Sequence, residues 1–222
     1  PLENVANLET KGWELSLSYN GNINKDIDFN LGFSLYDSRT KITKYDNIAG
    51  LLSQYYEGQY IGEIWGYETD RYYTTNDFNA NGTLKEGIPH VDGYSNPNPG
   101  DVLYVDYDNN GIIDKGQNTL EKPGDRKIIG NSTPRFQYGI TGNVNYKNFS
   151  LSFLLQGVGK RDLWISNELF WPWYDEYSTL MSSQLDYWTE NNTDAYFPRV
   201  YDRAKKNTGA NRLCQTKYLQ NG

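Results

Sequence analysis

The residues best placed to do chemistry lie in the run 106–117, DYDNNGIIDKGQ. Asp106, Asp108, Asn110 and Asp114 hold its first, third, fifth and ninth positions, Gly111 the sixth and Ile113 the eighth. An EF-hand loop has this spacing: alternate side chains turn inward around a glycine, and the seventh residue, here Ile112, adds its carbonyl. Such a loop would gather hard oxygen ligands around a structural Ca2+ ion, with Ile113 packing beneath it. The twelfth position departs, because Gln117 stands where a bidentate Glu is needed. Asp125, in the Gly-Asp-Arg that follows, is a further ligand from outside the loop. No flanking helices are evident, so an ion here would stiffen a loop and not signal. The same residues can instead form an Asx-rich turn whose side chains accept backbone amides.

A second cluster is aromatic. The stretch FWPWYDEY brings Phe170, Trp171, Trp173 and Tyr174 together. Exposed indoles stack on sugar rings or anchor a protein partner, and the bland reading is packing of a loop on itself. Trp171, Trp173 and Tyr174 are the candidate ligand or partner contacts. Catalysis has little support. His90 and Cys214 are the only residues of their kinds, and no convincing acid pair for glycoside hydrolysis stands out. Asp175 and Glu176 read better as helix capping than as glycosidase acids. With 21 basic against 28 acidic residues and no basic run, nucleic acid is not an expected partner.

These groups must be positioned by β-structure. Aromatics make up 15% of the chain, with 20 Tyr and 6 Trp, and the mean hydropathy is strongly negative. That composition suits strands joined by long polar loops more than an aliphatic core. Period-two alternation sets Trp13, Leu15, Leu17 and Tyr19 on one face, then Ile27, Phe29, Leu31, Phe33 and Leu35. It recurs in Phe136, Tyr138, Ile140, Val144 and Tyr146, and in Phe149, Leu151, Phe153 and Leu155. Two antiparallel hairpins follow, a strand pair near 12–37 and another near 134–158, closed by the short turns GNINKD and Lys147-Asn148. Long connections near 38–124 and 159–217 leave from the opposite end. Within the last of them, Tyr177, Leu180, Met181, Leu185 and Trp188 follow helical spacing, with Asp175 placed as N-cap.

Short turns at one end and long loops at the other are the pattern of an outer-membrane β-barrel. The residues opposite the apolar face are small and polar, which suits a lumen. Periodicity alone leaves a rival open: a secreted, calcium-stabilised β-sandwich that binds glycans through aromatic loops.

The motifs, read in order, decide between them. NLETKGWELSLSYNG, EGQYIGEIWGYETD, GDVLYVDYDNNGIIDKGQ, GDRKIIGNSTPRFQYG, LDYWTENNTDAYFPRVY and KYLQNG resemble, in that order, the segments of SusC/RagA-type TonB-dependent transporters. Asn110, where an acidic residue is frequent, and Glu190, where proline is usual, depart from the pattern. The resemblance implies a non-enzymatic protein of the cell outer membrane, all-β, with one short loop helix. This chain would be a later part of a wide barrel in contact with membrane lipid. It implies import of an oligosaccharide or peptide, a SusD-like surface lipoprotein as partner, and TonB engaged through an N-terminal region that this chain lacks.

Overall fold

The computed structural model describes residues 5–94, 96–174, 177–201 and 208–222. Where apolar and polar residues alternate, the chain runs as long strands. β1 (Ala6–Asn24) and β2 (Ile27–Tyr45) form the first hairpin. Short strands follow: β3 (Glu63–Tyr67), β4 (Thr69–Tyr72), β5 (His90–Val91), β6 (Val102–Tyr104), β7 (Ile112–Ile113) and β8 (Arg126–Asn131). β9 (Arg135–Tyr146) and β10 (Phe149–Lys160) make the second hairpin. β11 (Asp162–Trp164) and β12 (Leu219–Asn221) complete the strands. The first hairpin extends past its apolar alternation because Glu9, Lys11, Arg39 and Lys41 continue the ladder with charged side chains.

The long strands form one antiparallel sheet in the order β1-β2-β9-β10. β2 meets β9 from Ile27 opposite Tyr146 to Tyr36 opposite Gln137. The Lys147 amide donates to the Asp26 carbonyl at 3.0 Å, so the two short turns lie side by side. Every longer connection therefore departs from the opposite end.

Directly paired residues share a face, and the register aligns the apolar sets of all four strands. One row reads Leu17, Phe33, Ile140 and Leu155, and the next Tyr19, Leu31, Gly142 and Phe153. Glycine belongs in that second row because the Phe153 ring lies across it; a Cβ on Gly142 would meet the ring at 2.2 Å. The opposite face is small and polar, with Ser16, Ser34 and Gly139 in one row. Asn30 donates across it to Asn20 at 2.5 Å, and Asn145 to Asp28 at 2.8 Å.

No second layer covers this sheet among the described residues. Leu17 is 58% exposed, Leu151 66% and Phe149 77%. The fully buried apolar residues include none from β1, β9 or β10. A sandwich would make these faces its core, so that reading is overturned. The sheet instead has the construction of an outer-membrane barrel wall, whose apolar face takes lipid as its solvent.

The protein core sits in the loops. Tyr67, Val91, Val102, Tyr104, Ile113 and Ala210 form one cluster, and Trp171, Phe197 and Tyr218 another. Among the described residues helix is minimal: a four-residue turn at Thr208–Asn211 and 3-10 turns at Thr75–Asp77 and Ser182–Gln184. The longer helix expected after residue 175 does not form. Its proposed apolar strip does not act as one face: Tyr177 is 85% and Leu185 60% exposed while Trp188 is buried, and Asp175 lies outside the described residues. Gln184 decides the local path. Its buried amide donates to the Glu168 and Leu169 carbonyls, and its oxygen accepts the Met181 amide. Serine and threonine in this stretch give the backbone little reason to resist.

The apolar face can be located by fluorescence. In bilayers of brominated lipid, the emission lost on Trp13→Phe substitution should be a quenched component, while emission lost on Trp171→Phe should be unquenched. A Trp13 component insensitive to bromine would place that face away from lipid.

Candidate functional site

The acidic loop is held at its middle by a short parallel pairing. His90 and Val91 pair with Ile112 and Ile113, through His90 N to Gly111 O at 3.2 Å and Asp92 N to Ile113 O at 3.0 Å. Ile113 is fully buried beneath the loop, while the Ile112 side chain stays exposed. Gly111 adopts φ 84°, a left-handed conformation that a side chain would resist.

The structure brings Asp106, Asp108 and Asp125 together; one oxygen from each lies within 4.8 Å of the others. Asp125 is buried, and its carboxylate accepts the Tyr107 amide at 2.8 Å and the Asp114 amide at 2.9 Å. Burial pushes its pKa up, and the Asp106 and Asp108 charges add to the rise against the two amide bonds. Asp106 Oδ2 accepts the Gly111 amide at 2.8 Å, but its Oδ1 is buried without a hydrogen-bond partner. Asp114 and Asn110 turn their oxygens elsewhere. Asp114 Oδ1 accepts the Gly116 amide at 2.6 Å and Asn110 Oδ1 the Ile112 amide at 2.7 Å. The Asn110 side-chain amide instead donates to Asp108 at 2.9 Å. The loop thus combines Asx turns with a three-carboxylate focus, and the donor from outside the twelve residues replaces Asp114 in it.

Of the aromatic candidates, Trp171 is corrected by the structure. It is 1% exposed, donates its indole N–H to the Ile165 carbonyl at 3.2 Å, and packs edge-on to Tyr218 at 4.7 Å. It is a core residue because Trp164, Phe170 and Phe197 close around it. Trp173 and Tyr174 remain half-buried at its margin. Arg212 covers the Tyr174 ring at 4.5 Å and donates to its carbonyl at 2.7 Å.

A cleft of about 480 Å³ was not foreseen from the sequence. It is lined by Arg71, Tyr72, Thr74, Thr75, Trp188, Glu190, Thr193, Asp194 and Lys217. Arg71 is fixed by a forked pair with Asp77 at 2.6 and 2.8 Å. Lys217 stands 4.5 Å above the Tyr72 ring, and burial lowers its pKa against the opposing pull of Asp194 and Asp186. The Tyr72 and Tyr218 hydroxyls meet at 2.7 Å and both bond the Tyr196 carbonyl. Charges of both signs, hydroxyls and an aromatic wall suit a hydroxyl-rich or zwitterionic ligand. Its residues come from three distant parts of the chain, so no local spacing could have revealed it.

No family model matches the chain. Among curated proteins it is similar to TonB-dependent receptor P3 of Formosa agariphila, 28% identical over 221 residues, covering 93% of this chain. It is similar also to TonB-dependent receptor SusC of Bacteroides thetaiotaomicron, 24% identical over 167 residues and 69% of the chain. The solved structure of the RagAB peptide transporter matches 99% of the chain with a TM-score of 0.59 at 16% identity. The sequence is thus similar to TonB-dependent receptors, SusC among them, and the fold is that of part of the RagAB transporter. The chain spans 20% and 14% of the two curated relatives' lengths and 22% of the solved RagAB chain. An open-open state of RagAB matches too, with a TM-score of 0.55 over 96% of the chain. TonB-dependent receptors of this kind lie in the outer membrane, and the four-stranded sheet has the fold of a stretch of such a barrel wall. The similar proteins are receptors and transporters, not enzymes.

The aromatic cluster should hold the receptor's loops together. Trp171→Ala should cost about 3–5 kcal/mol of local stability, the usual range for deleting a buried indole. Limited proteolysis of the full-length receptor should then cut within 165–200 while the wall strands stay protected.

Proposed function

We propose that this chain serves TonB-dependent import of an oligosaccharide or peptide across the outer membrane, without enzymatic activity of its own. A SusD-like surface lipoprotein is the partner proposed to cover the loops, and TonB would act through a region outside this chain. The observation that carries the reading is the division of the molecule: a single-layer wall suited to lipid, bearing at one end loops with a packed core and a polar cleft. A rigid loop assembly can present side chains to cargo while the wall remains in the membrane. Half-buried Trp173 and Tyr174 are proposed as contacts to the lipoprotein, since such aromatics contribute heavily where they become covered. Cells expressing the receptor should accumulate fluorescent oligosaccharide or oligopeptide, and cells lacking it should not. The paired change Asp194→Asn and Lys217→Gln should lower uptake at limiting cargo about tenfold, the effect of losing one charged hydrogen bond. Unchanged uptake would remove the cleft from the route.

We infer further that the acidic loop takes a hard cation, with Asp106, Asp108 and Asp125 as ligands. The unpartnered, buried Oδ1 of Asp106 supports this, because it belongs to a carboxylate that meets two others. Three acids in one place repel, and a divalent ion would relieve both the repulsion and the orphaned oxygen. Two of these carboxylates also order the loop through backbone amides, so the ion would add stiffness to a loop already shaped. Calorimetry on the full-length receptor should detect calcium uptake that Asp108→Ala weakens at least about tenfold. Identical heats from the two proteins would leave the loop an amide-stabilised turn.

A further inference from the structure

The apolar face of the wall ends sharply. Beyond the row of Leu15 and Leu35 come Trp13 paired with Asp37, Lys11 with Arg39 and Glu9 with Lys41, all on the same face. These residues line, with Tyr60 and Arg135, a cleft of about 470 Å³ on the lipid side of the sheet. Charge facing lipid costs about 2–4 kcal/mol at the bilayer midplane and almost nothing near the interface. The cluster must therefore mark the membrane's boundary at the loop end. The wall's dimensions agree. From Gly21 to Trp13 the strand covers on the order of 20 Å of height, at roughly 3.3 Å per residue and barrel tilt, against an apolar band of about 25 Å. Trp13, the last large apolar residue of the face, stands where interfacial aromatics gather.

The charges in this cleft are unequally satisfied. Lys11 pairs with Glu9 at 3.1 Å, and Arg135 holds Asp37 through a two-pronged ion pair. Arg39 and Lys41 have no carboxylate within ion-pair distance among the described residues. They rest over the Tyr60 ring instead, at 5.1 and 5.9 Å from its centre. Tyr60 is kept there by the strand-like seam of residues 58–61 against β2, through Ile42 N to Gln59 O at 2.8 Å and Ile61 N to Thr40 O at 2.9 Å. Two cations, prepositioned on an aromatic ring and open to the headgroup level, form a site for a divalent oxyanion.

We propose that this cleft binds the phosphorylated headgroup of an outer-leaflet lipid, with Arg39 and Lys41 on the phosphate and Trp13 against the acyl region. The site anchors the wall at a fixed depth. It rests on the barrel-wall placement and not on the cargo, so its failure would leave the import reading untouched.

The test uses the full-length receptor in detergent and native mass spectrometry. The probes are diphosphorylated lipid A, the same lipid after phosphatase treatment, and inorganic phosphate. Wild type should retain the phosphorylated lipid about fivefold better than the dephosphorylated one, the worth of one modest ion pair. Arg39→Gln with Lys41→Gln should abolish that preference, and Lys25→Gln at the opposite membrane boundary should keep it. Heat-modifiable gel mobility reports whether each variant is a folded barrel, and Lys41→Gln alone decides by the same criterion if the double variant is not. Equal retention of the two lipids by wild type, or full preference in the folded variant, overturns the proposal. Displacement of the lipid by millimolar inorganic phosphate overturns it also, by showing that the phosphate is read without its lipid.

Discussion

Hydrocarbon offers no hydrogen bonds, and the whole arrangement follows from that. Every N–H and C=O at membrane depth has to find a partner in a neighbouring strand, at a cost of several kcal/mol for each that does not. The ladders of β1 with β2, β2 with β9 and β9 with β10 meet this demand without a break along the apolar rows for the inner strands β2 and β9, and for one side of β1 and β10. Register is then fixed twice over. A slip of one residue would turn Phe33 and Ile140 toward the lumen and Ser34 and Gly139 toward lipid. The bulky and small residues of the face fit one another within that register, as the Phe153 ring over Gly142 illustrates.

A wall that faces lipid cannot lend its apolar surface to a water-excluding core, so the loops build their own. They do it with aromatic rings and satisfied polar groups in place of aliphatic bulk. Gln215 is fully buried and bonds the Thr69 and Tyr104 hydroxyls and the Asn211 carbonyl. Asp101 takes the Asn211 amide at 2.8 Å and the Tyr201 hydroxyl at 2.7 Å. This explains the abundance of tyrosine. A ring buries large area while its hydroxyl finds a partner, as Tyr72, Tyr104 and Tyr218 each do. The same chain is folded for two solvents, and composition averages them into something that resembles neither.

Much of the wall was legible in the sequence because one-faced strands leave a period of two that nothing local can erase. Both hairpins and the side-by-side placement of their turns follow from it. The upper part of the first hairpin was not, because Lys11, Arg39 and Lys41 keep the pairing while breaking the hydropathy pattern. The convergence of carboxylates was legible only where they are close in sequence: Asp106 and Asp108 come together as their spacing implies, and Asp125 could be named from its neighbourhood, but the departure of Asp114 to the Gly116 amide is a choice of backbone path. Trp171 and the residues 177–188 show the other limit: an aromatic cluster or a helical stripe acquires its meaning from what packs on it, and those partners lie far along the chain.

The junction of β2 with β9 carries one more consequence. The chain leaves the wall at Tyr45, builds most of a folded assembly, and returns at Arg135 beside the strand it left. Arg135 and Asp37 staple that doorway from both sides. An excursion with neighbouring ends behaves as a cassette. Beyond the seam of residues 58–61 on β2, its sequence can drift or lengthen without disturbing the apolar rungs of the wall, so change in the loops and constancy in the wall can fall on separate stretches of one gene.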